Sequence, residues 1–356
     1  MKIPKKFVGV QSISSGGFSE VYLCKNTHLA NRKEAVKFIK FKSEEEEEIA
    51  KELKEDLFES SVLAYLRKSP YIVDIYDAVI LKTGFRINME YLEKGCLQNL
   101  LKKGNFLKAK QIIKISECVL HALEHAHNKG IFHLDVKPGN ILVKNKNIYK
   151  LTDFGLSNIK GKDNASDFKK IYTAHYPPEK LSKSNEKATE QTDIYMFGVT
   201  VYRLLNGDLY FYKQRDELLK VKDSLKQAII SGKFPHRKKY LYHIHKKLKK
   251  IVNKCMNTDL TKRYKSVREI RNDFCKIYIK YNWECKKLSE NLHYWKCFIG
   301  VTPSMELVAI KEKSLWSIVL VKFGKNRKTR IRKHCHVNLN NQKFYTGMNA
   351  IFNEYF

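Results

Sequence analysis

Two short segments restrict this chain more than any bulk property. They are "HLDVKPGN", His133 to Asn140, and "LTDFGLS", Leu151 to Ser157. The first holds an acid, a cation and an amide at fixed offsets and runs directly into an apolar "ILV". The second brings another acid, Asp153, followed by a phenylalanine and a glycine. Carboxylate and amide oxygens suit a hard divalent cation, and an ammonium group suits a phosphate oxygen. The bland alternative is an ordinary loop that happens to carry two aspartates. The spacing of the two segments, with "EAVK" upstream, argues against it.

The pattern around these segments predicts a strand-rich start and a helical middle. "KKFVGVQSIS" and "SEVYLCKN" alternate about a glycine turn, and "RKEAVKFIKF" is a third β-rich run. Ser43 reads as the N-cap of a helix whose five-glutamate run sits at the positive end of its dipole. "YIVDIYDAVIL" and "FRINMEYL" are two more strands. "KAKQIIKISECVLHALEHAHNKG" predicts a long amphipathic helix ended by Gly130, and "QTDIYMFGVTVYRLLNG" a buried one. From "NWECKK" the runs turn strand-like and rich in Trp, Val and Ile, ending in "GMNAIFNEYF" as a short helix. The boundary falls near residue 282.

Phosphoryl transfer needs a cradle for the phosphates, a cation on them, metal ligands and an acid for the attacking hydroxyl. "SSGGFSEV", Ser14 to Val21, offers the cradle, since small residues let backbone N–H groups approach phosphate; a glycine-bearing hairpin turn is its plain alternative. Lys37 offers the cation. Asp135 would orient the hydroxyl and take its proton, Lys137 would sit on the γ-phosphate, and Asn140 and Asp153 would hold magnesium.

Together these residues resemble the serine/threonine protein kinases of the eukaryotic-like type, over roughly Phe7 to Tyr281. "YPPEKL" is similar to the family's A-P-E element, with Glu179 expected to pair with Arg263. "TDIYMFGV" resembles its buried helix around Asp193. The resemblance implies an α+β, bilobed protein-kinase-like fold. A β-rich N-lobe would cover 1–92, a helical C-lobe 93–282, and a small basic α+β module 283–356. It implies ATP and Mg2+ as cofactors and protein Ser/Thr hydroxyls as substrate. It makes Glu59 the partner of Lys37, with Glu55 as the neighbouring choice. It places Ser14, Gly16, Gly17 and Ser19 over the phosphates, and Val21, Ala35 and Leu142 about the adenine. Met89 would stand behind the ring, with the backbone of Glu90 and Leu92 reading its edge.

The sequence departs from the family at three places. Only the second loop glycine is kept, as Gly16. "TAHYPPE" is one residue short of the usual T-x-x-Y-x-A-P-E. Leu134 stands where most protein kinases carry the arginine that binds a phosphorylated activation loop. Leucine cannot form that charge-assisted pair, so the standard phosphorylation switch is expected to be missing while activity is kept.

Charge bears on partners. Lys and Arg number 68 against 37 Asp and Glu, a formal net charge of +31. Two clusters stand out, Lys233–Lys250 and Lys322–His334; residues 283–356 hold 13 basic and 5 acidic side chains. Such a surface suits nucleic acid or an acidic protein, although an AT-rich coding bias yields the same composition without any partner. A non-catalytic kinase-fold scaffold acting through the basic tail is the alternative function. The eight cysteines form no CxxC pair, and "HCH" at His334–His336 matches no zinc-finger spacing. The first points to a reducing, intracellular and cytoplasmic compartment, with export into a host cell left open, and the second favours a packed strand over a zinc site. The longest apolar runs, such as "WSIVLVKF", fall far short of the ~20 residues a membrane span needs.

Overall fold

The structure is a computed structural model. It describes residues 4–15, 19–40, 66, 69–81, 84–102, 106–154, 158–159, 173–182, 188–325 and 327–355. The chain divides into two compact units, Met1–Leu97 with Cys118–Asn164, and Gln98–Glu117 with Ala165–Phe356.

In the first unit five antiparallel strands form one sheet. They are β1 (Phe7–Ser15), β2 (Ser19–Asn26), β3 (Arg32–Lys40), β4 (Ile75–Leu81) and β5 (Gly84–Glu90), in the order β1-β2-β3-β5-β4. Alternation decides which side chains face inward. Cys24, Val36 and Phe38 are buried with Phe7, against the half-buried Tyr22 and Leu81. Glu34 is a buried exception, held by the Asn26 amide at 2.9 Å and the Arg32 guanidinium at 2.7 Å. The helix expected after Ser43 lies outside the described residues, as do Glu55 and Glu59.

The chain continues through α1 (Leu97–Lys102) and α2 (Ala109–His127). The expected stop at Gly130 is a turn beyond α2: Gly130 has φ +72° and donates its N–H to the His127 carbonyl at 2.9 Å. Four short strands follow. β6 (Ile131–Phe132) pairs with β9 (Asn158–Ile159), and β7 (Ile141–Val143) with β8 (Tyr149–Leu151). The octapeptide is the loop between β6 and β7.

The second unit carries α3 (Pro178–Ser182), α4 (Glu190–Asn206), α5 (Asp208–Leu219), α6 (Ser224–Ile230), α7 (Lys246–Cys255) and α8 (Val267–Phe274). Every residue of α4 from Thr192 to Asn206 is buried, which explains its apolar sequence. Arg263 clamps Glu179 through two parallel bonds of 2.8 and 3.0 Å, and donates further to the carbonyls of Gln191 and Asn257. The expected ion pair is therefore a buried fork that two backbone carbonyls support further.

The same unit ends in an antiparallel sheet. Its strands are β10 (Asn282–Leu288), β11 (Leu292–Ile299), β12 (Thr302–Glu312), β13 (Leu315–Phe323), β14 (Lys328–Arg330) and β15 (His336–Leu339). Helix α9 (Asn341–Glu354) covers one face with Phe344, Met348, Ile351 and Phe352. It is longer than the sequence pattern implied, because Asn340 caps it by accepting the Lys343 N–H at 2.9 Å. Trp316 stacks on Phe344 with 4.1 Å between ring centroids, and Trp283 donates to the Tyr355 carbonyl at 2.8 Å. This core continues into the helical part: Phe106 and Tyr242 pack on it, and Trp295 donates its indole N–H to His243 Nδ1 at 3.1 Å. Burial pushes His243 down to about 3, so it is a neutral acceptor across the working pH range. Cys297 is fully buried and His334 contacts Glu354 at 2.8 Å. Among the described residues no three His, Cys, Asp or Glu side chains gather as a metal site.

Gly198 gives a direct test of the α4 packing. A Cβ there meets Cys255 Cβ at 2.7 Å and Met256 Cγ at 2.8 Å. Gly198→Val is expected to cost about 1–3 kcal/mol through overpacking. Thermal unfolding measures it, and an unchanged midpoint would contradict the packing described.

Candidate active site

The first unit assembles the candidate groups from three places in the chain. In the sheet, register does the sorting. Val21 lies opposite Lys37, and Ala35 opposite Met89. Directly opposed residues share a face, and alternate residues along a strand return to it. Val21, Ala35, Lys37 and Met89 therefore line one face, while Val36 and Phe38 occupy the other and enter the core. Ser14 pairs with Val21 at the start of the β1–β2 hairpin, and Ser19 with Ile39. Ser14 is exposed and Ser19 half-buried. Gly16 and Gly17 lie outside the described residues.

After β5 the chain passes through Glu90 and Leu92 to a turn closed by the Gly95 N–H on the Leu92 carbonyl at 3.0 Å. The Val143 N–H reaches the Gly95 carbonyl at 2.9 Å, and Cys96 bridges Leu142. Leu142 is thereby seated beside the Leu92–Cys96 stretch. The Glu90 carboxylate is held by Lys150 and by Lys144, the latter at 2.9 Å, and Lys150 also meets Asp74 at 3.0 Å. Burial pushes the Glu90 carboxyl up, but the hydrogen bonds from Lys150 and Lys144 outweigh it and leave it below its ordinary value. Sequence reasoning missed Lys150 and Asp74. Their signal was faint, a lysine inside the otherwise apolar "IYKL".

The octapeptide loop closes on itself. Lys137 Nζ lies 2.7 Å from Asp135 Oδ2. Asn140 donates its amide to the same oxygen at 2.8 Å and to the Asp135 carbonyl at 2.9 Å. That commits the amide nitrogen to Asp135 and turns the oxygen of Asn140 the other way. Burial pushes the Asp135 carboxyl up, with Lys137 working against it.

His133 joins this loop to the second acid. Its Nδ1 accepts the Asp135 N–H at 3.1 Å and its Nε2 meets the Thr152 carbonyl at 3.0 Å, so the ring proton belongs on Nε2. Its ring also meets Phe154 edge-on at 4.5 Å. Asp153 follows, with φ +66° and its Oδ1 3.0 Å from Lys37 Nζ. The Lys37 ammonium holds the Asp153 carboxyl below its usual range despite burial. Leu134 also has positive φ, +63°, and is fully buried. Two non-glycine residues in the left-handed region within one site indicate backbone held against its local preference.

The structure thus brings together Lys37 with Asp153, and Asp135 with Lys137 and Asn140. Asn140 and Asp153 offer the hard oxygens that a magnesium ion takes, and so fit that cation chemically. Because the Asp153 carboxyl lies below its unfolded value, its pairing stabilises the fold above the unfolded carboxyl pKa of about 4. The contribution fades as pH falls through the lowered value. In Lys137→Ala the Asp135 carboxyl is expected to titrate higher than in the native chain, because burial then acts unopposed by its nearest cation. A 13C-carboxyl NMR titration reads this directly, and a downward shift would contradict it.

Residues 7–274 match the family model described as protein kinase domain. A probable serine/threonine-protein kinase of Clostridium perfringens is 31% identical over 272 residues, covering 75% of this chain and 38% of that protein. Serine/threonine-protein kinase PrkC of Bacillus subtilis is 26% identical over 290 residues, covering 81% and 42%. Serine/threonine-protein kinase greatwall of Bos taurus is 34% identical over 155 residues, covering 44% and 17%. The chain spans about two fifths of the length of four bacterial serine/threonine-protein kinases it matches.

Proposed function

The chain belongs to the protein kinase domain family, and on that premise we propose that it transfers the γ-phosphate of ATP to serine and threonine hydroxyls of proteins. The observation that carries this reading is the Asp135–Lys137–Asn140 cluster, closed within 2.9 Å, beside the Lys37–Asp153 pair at 3.0 Å. Asp135 receives the proton as the substrate oxygen bonds to the γ-phosphorus and the bond to the leaving ADP oxygen breaks. Lys137 neutralises the transferred group, and Lys37 the phosphates that stay behind. Asn140 and Asp153 would hold magnesium, which would supply charge neutralisation on the phosphates. Val21, Ala35, Met89 and Leu142 enclose the adenine, the backbone of Glu90 and Leu92 reads it, and Ser14, Gly16, Gly17 and Ser19 cover the phosphates. Glu59 fixes Lys37.

We read 1–92 and 93–282 as the two lobes of the catalytic domain and 283–356 as an added basic module. All eight cysteines are free thiols, and no helix of the described residues is long and apolar enough to cross a membrane. The free thiols fit a chain working in the reducing cytoplasm. Lys246, Lys247, Lys250 and Lys254 are exposed on α7 and suit an acidic protein substrate or a nucleic acid. The same surface is what favours the alternative of a non-catalytic scaffold.

Leu134 supports a further element of the proposal, activity without the standard loop switch. Its side chain is fully buried and carries no group that could pair with a phosphate.

The test is transfer from γ-labelled ATP with magnesium onto generic protein substrates, with nucleotide binding measured alongside. Lys37→Met is expected to lower transfer by about 10²–10³, the usual loss for one electrostatic donor. Ser166 lies in the segment between "DFG" and "YPPE", where a standard switch would be phosphorylated, and Ser166→Ala is expected to keep transfer. Full transfer by Lys37→Met, or none by Ser166→Ala, would contradict the respective part of the reading.

A further inference from the structure

The C-terminal sheet ends in two neighbouring turns of opposite chemistry. Register puts them at the same end: Cys297 lies opposite Met305, Met305 opposite Lys322, and Lys322 opposite Thr329. Just past this row β11 turns into β12 through Ile299, Gly300 and Val301, and between β13 and β14 the Gly324 N–H meets the Arg327 carbonyl at 2.9 Å. Three strand spacings separate β11 from β14, about 14 Å.

The first turn is apolar and bare. Val301 is 93% exposed and Ile299 47%. Gly300 has φ +69°, and a Cβ built there would meet only open space. The second turn is cationic: Lys322, Lys325, Arg327, Lys328 and Arg330 are all exposed. No acid occurs anywhere from Lys313 to Asn353. The acids at hand are engaged, Glu306 by Lys296 and Lys328 at 3.5 and 3.6 Å, and Glu284 by Lys286 at 2.7 Å and Lys108 at 3.5 Å. Isolated exposed aliphatics are ordinary on a protein surface. Two on one hairpin tip, beside five exposed cations, make an amphipathic end.

We propose that this end of the C-terminal module docks on an anionic lipid bilayer, Ile299 and Val301 entering the acyl boundary while the Lys322–Arg330 cations meet the headgroups. Charge alone would suit a nucleic acid equally well. The aliphatic tip separates the two, because bases stack on aromatic rings. Phe323, the ring at the cationic turn, is half-buried with the Lys328 ammonium 4.7 Å from its centroid. A bilayer instead takes aliphatic side chains at its boundary and basic ones at its surface. Neither feature suffices alone, and here they share one edge.

The experiment is sedimentation of the full chain with vesicles of phosphatidylcholine, with and without phosphatidylserine. Binding is expected only with phosphatidylserine. The paired change Ile299→Ser and Val301→Ser leaves the charge untouched and is expected to weaken binding at least about tenfold, from lost aliphatic burial. The pair Lys325→Ala and Arg327→Ala is expected to weaken it about 25-fold, some fivefold per cation at the surface. Thermal melts check that these exposed-turn variants stay folded. Failure to sediment with phosphatidylserine vesicles would overturn the proposal. So would sedimentation that the serine pair leaves unchanged. A single-stranded oligonucleotide that displaces the chain from vesicles, and binds the serine pair as well as the native chain, would assign the surface to nucleic acid. The readout is lipid binding alone, independent of phosphate transfer.

Discussion

The imidazole of His133 is the tie on which the site depends. One ring nitrogen takes the backbone N–H of Asp135 and the other reaches the carbonyl of Thr152. Two segments that are unremarkable loops in isolation are thereby placed at a fixed separation, each presenting a carboxylate. Around that tie the charges settle in opposite senses. Asp135 is pushed up by burial against the pull of Lys137, and Asp153 is held down by Lys37. On the proposed reading, the first acid would receive a proton and the second would stay ionised beside cations.

Much of this was legible because motif spacing and strand alternation are local properties. Lys37 shares a face with Val21, Ala35 and Met89 for the same reason that Val36 and Phe38 reach the core, and that alternation is visible in "EAVKF". Glu179 and Arg263 were paired from their positions in matching motifs, and the structure joins them by a bidentate fork. What stayed hidden depends on tertiary placement. A lysine in a short strand reads as solvent-facing, yet Lys150 is buried between Asp74 and Glu90. Helix α9 began earlier than its apolar pattern because an asparagine caps it, a signal that hydrophobic spacing does not carry.

Leu134 stands next to Asp135 in sequence, yet its side chain is fully buried. The backbone there keeps its left-handed turn, and the leucine side chain simply joins the apolar interior. Asp135 next to it retains both its lysine and its asparagine. The C-terminal sheet shows a related economy. Its tryptophans and α9 bury one face, and Trp295 anchors that core on His243 of the helical part. The turns at its far edge are then free to carry exposed aliphatics and cations that no core requires.

The most direct measurement of the central claim compares the native chain with Asp135→Asn for phosphate incorporated into protein, with modified residues mapped by mass spectrometry. The account predicts phosphoserine and phosphothreonine from the native chain and a loss on the order of 10²–10⁴ in the variant, the usual contribution of a positioned acid–base group. Equal incorporation by both, or none by a folded native chain that binds ATP and magnesium, would contradict it.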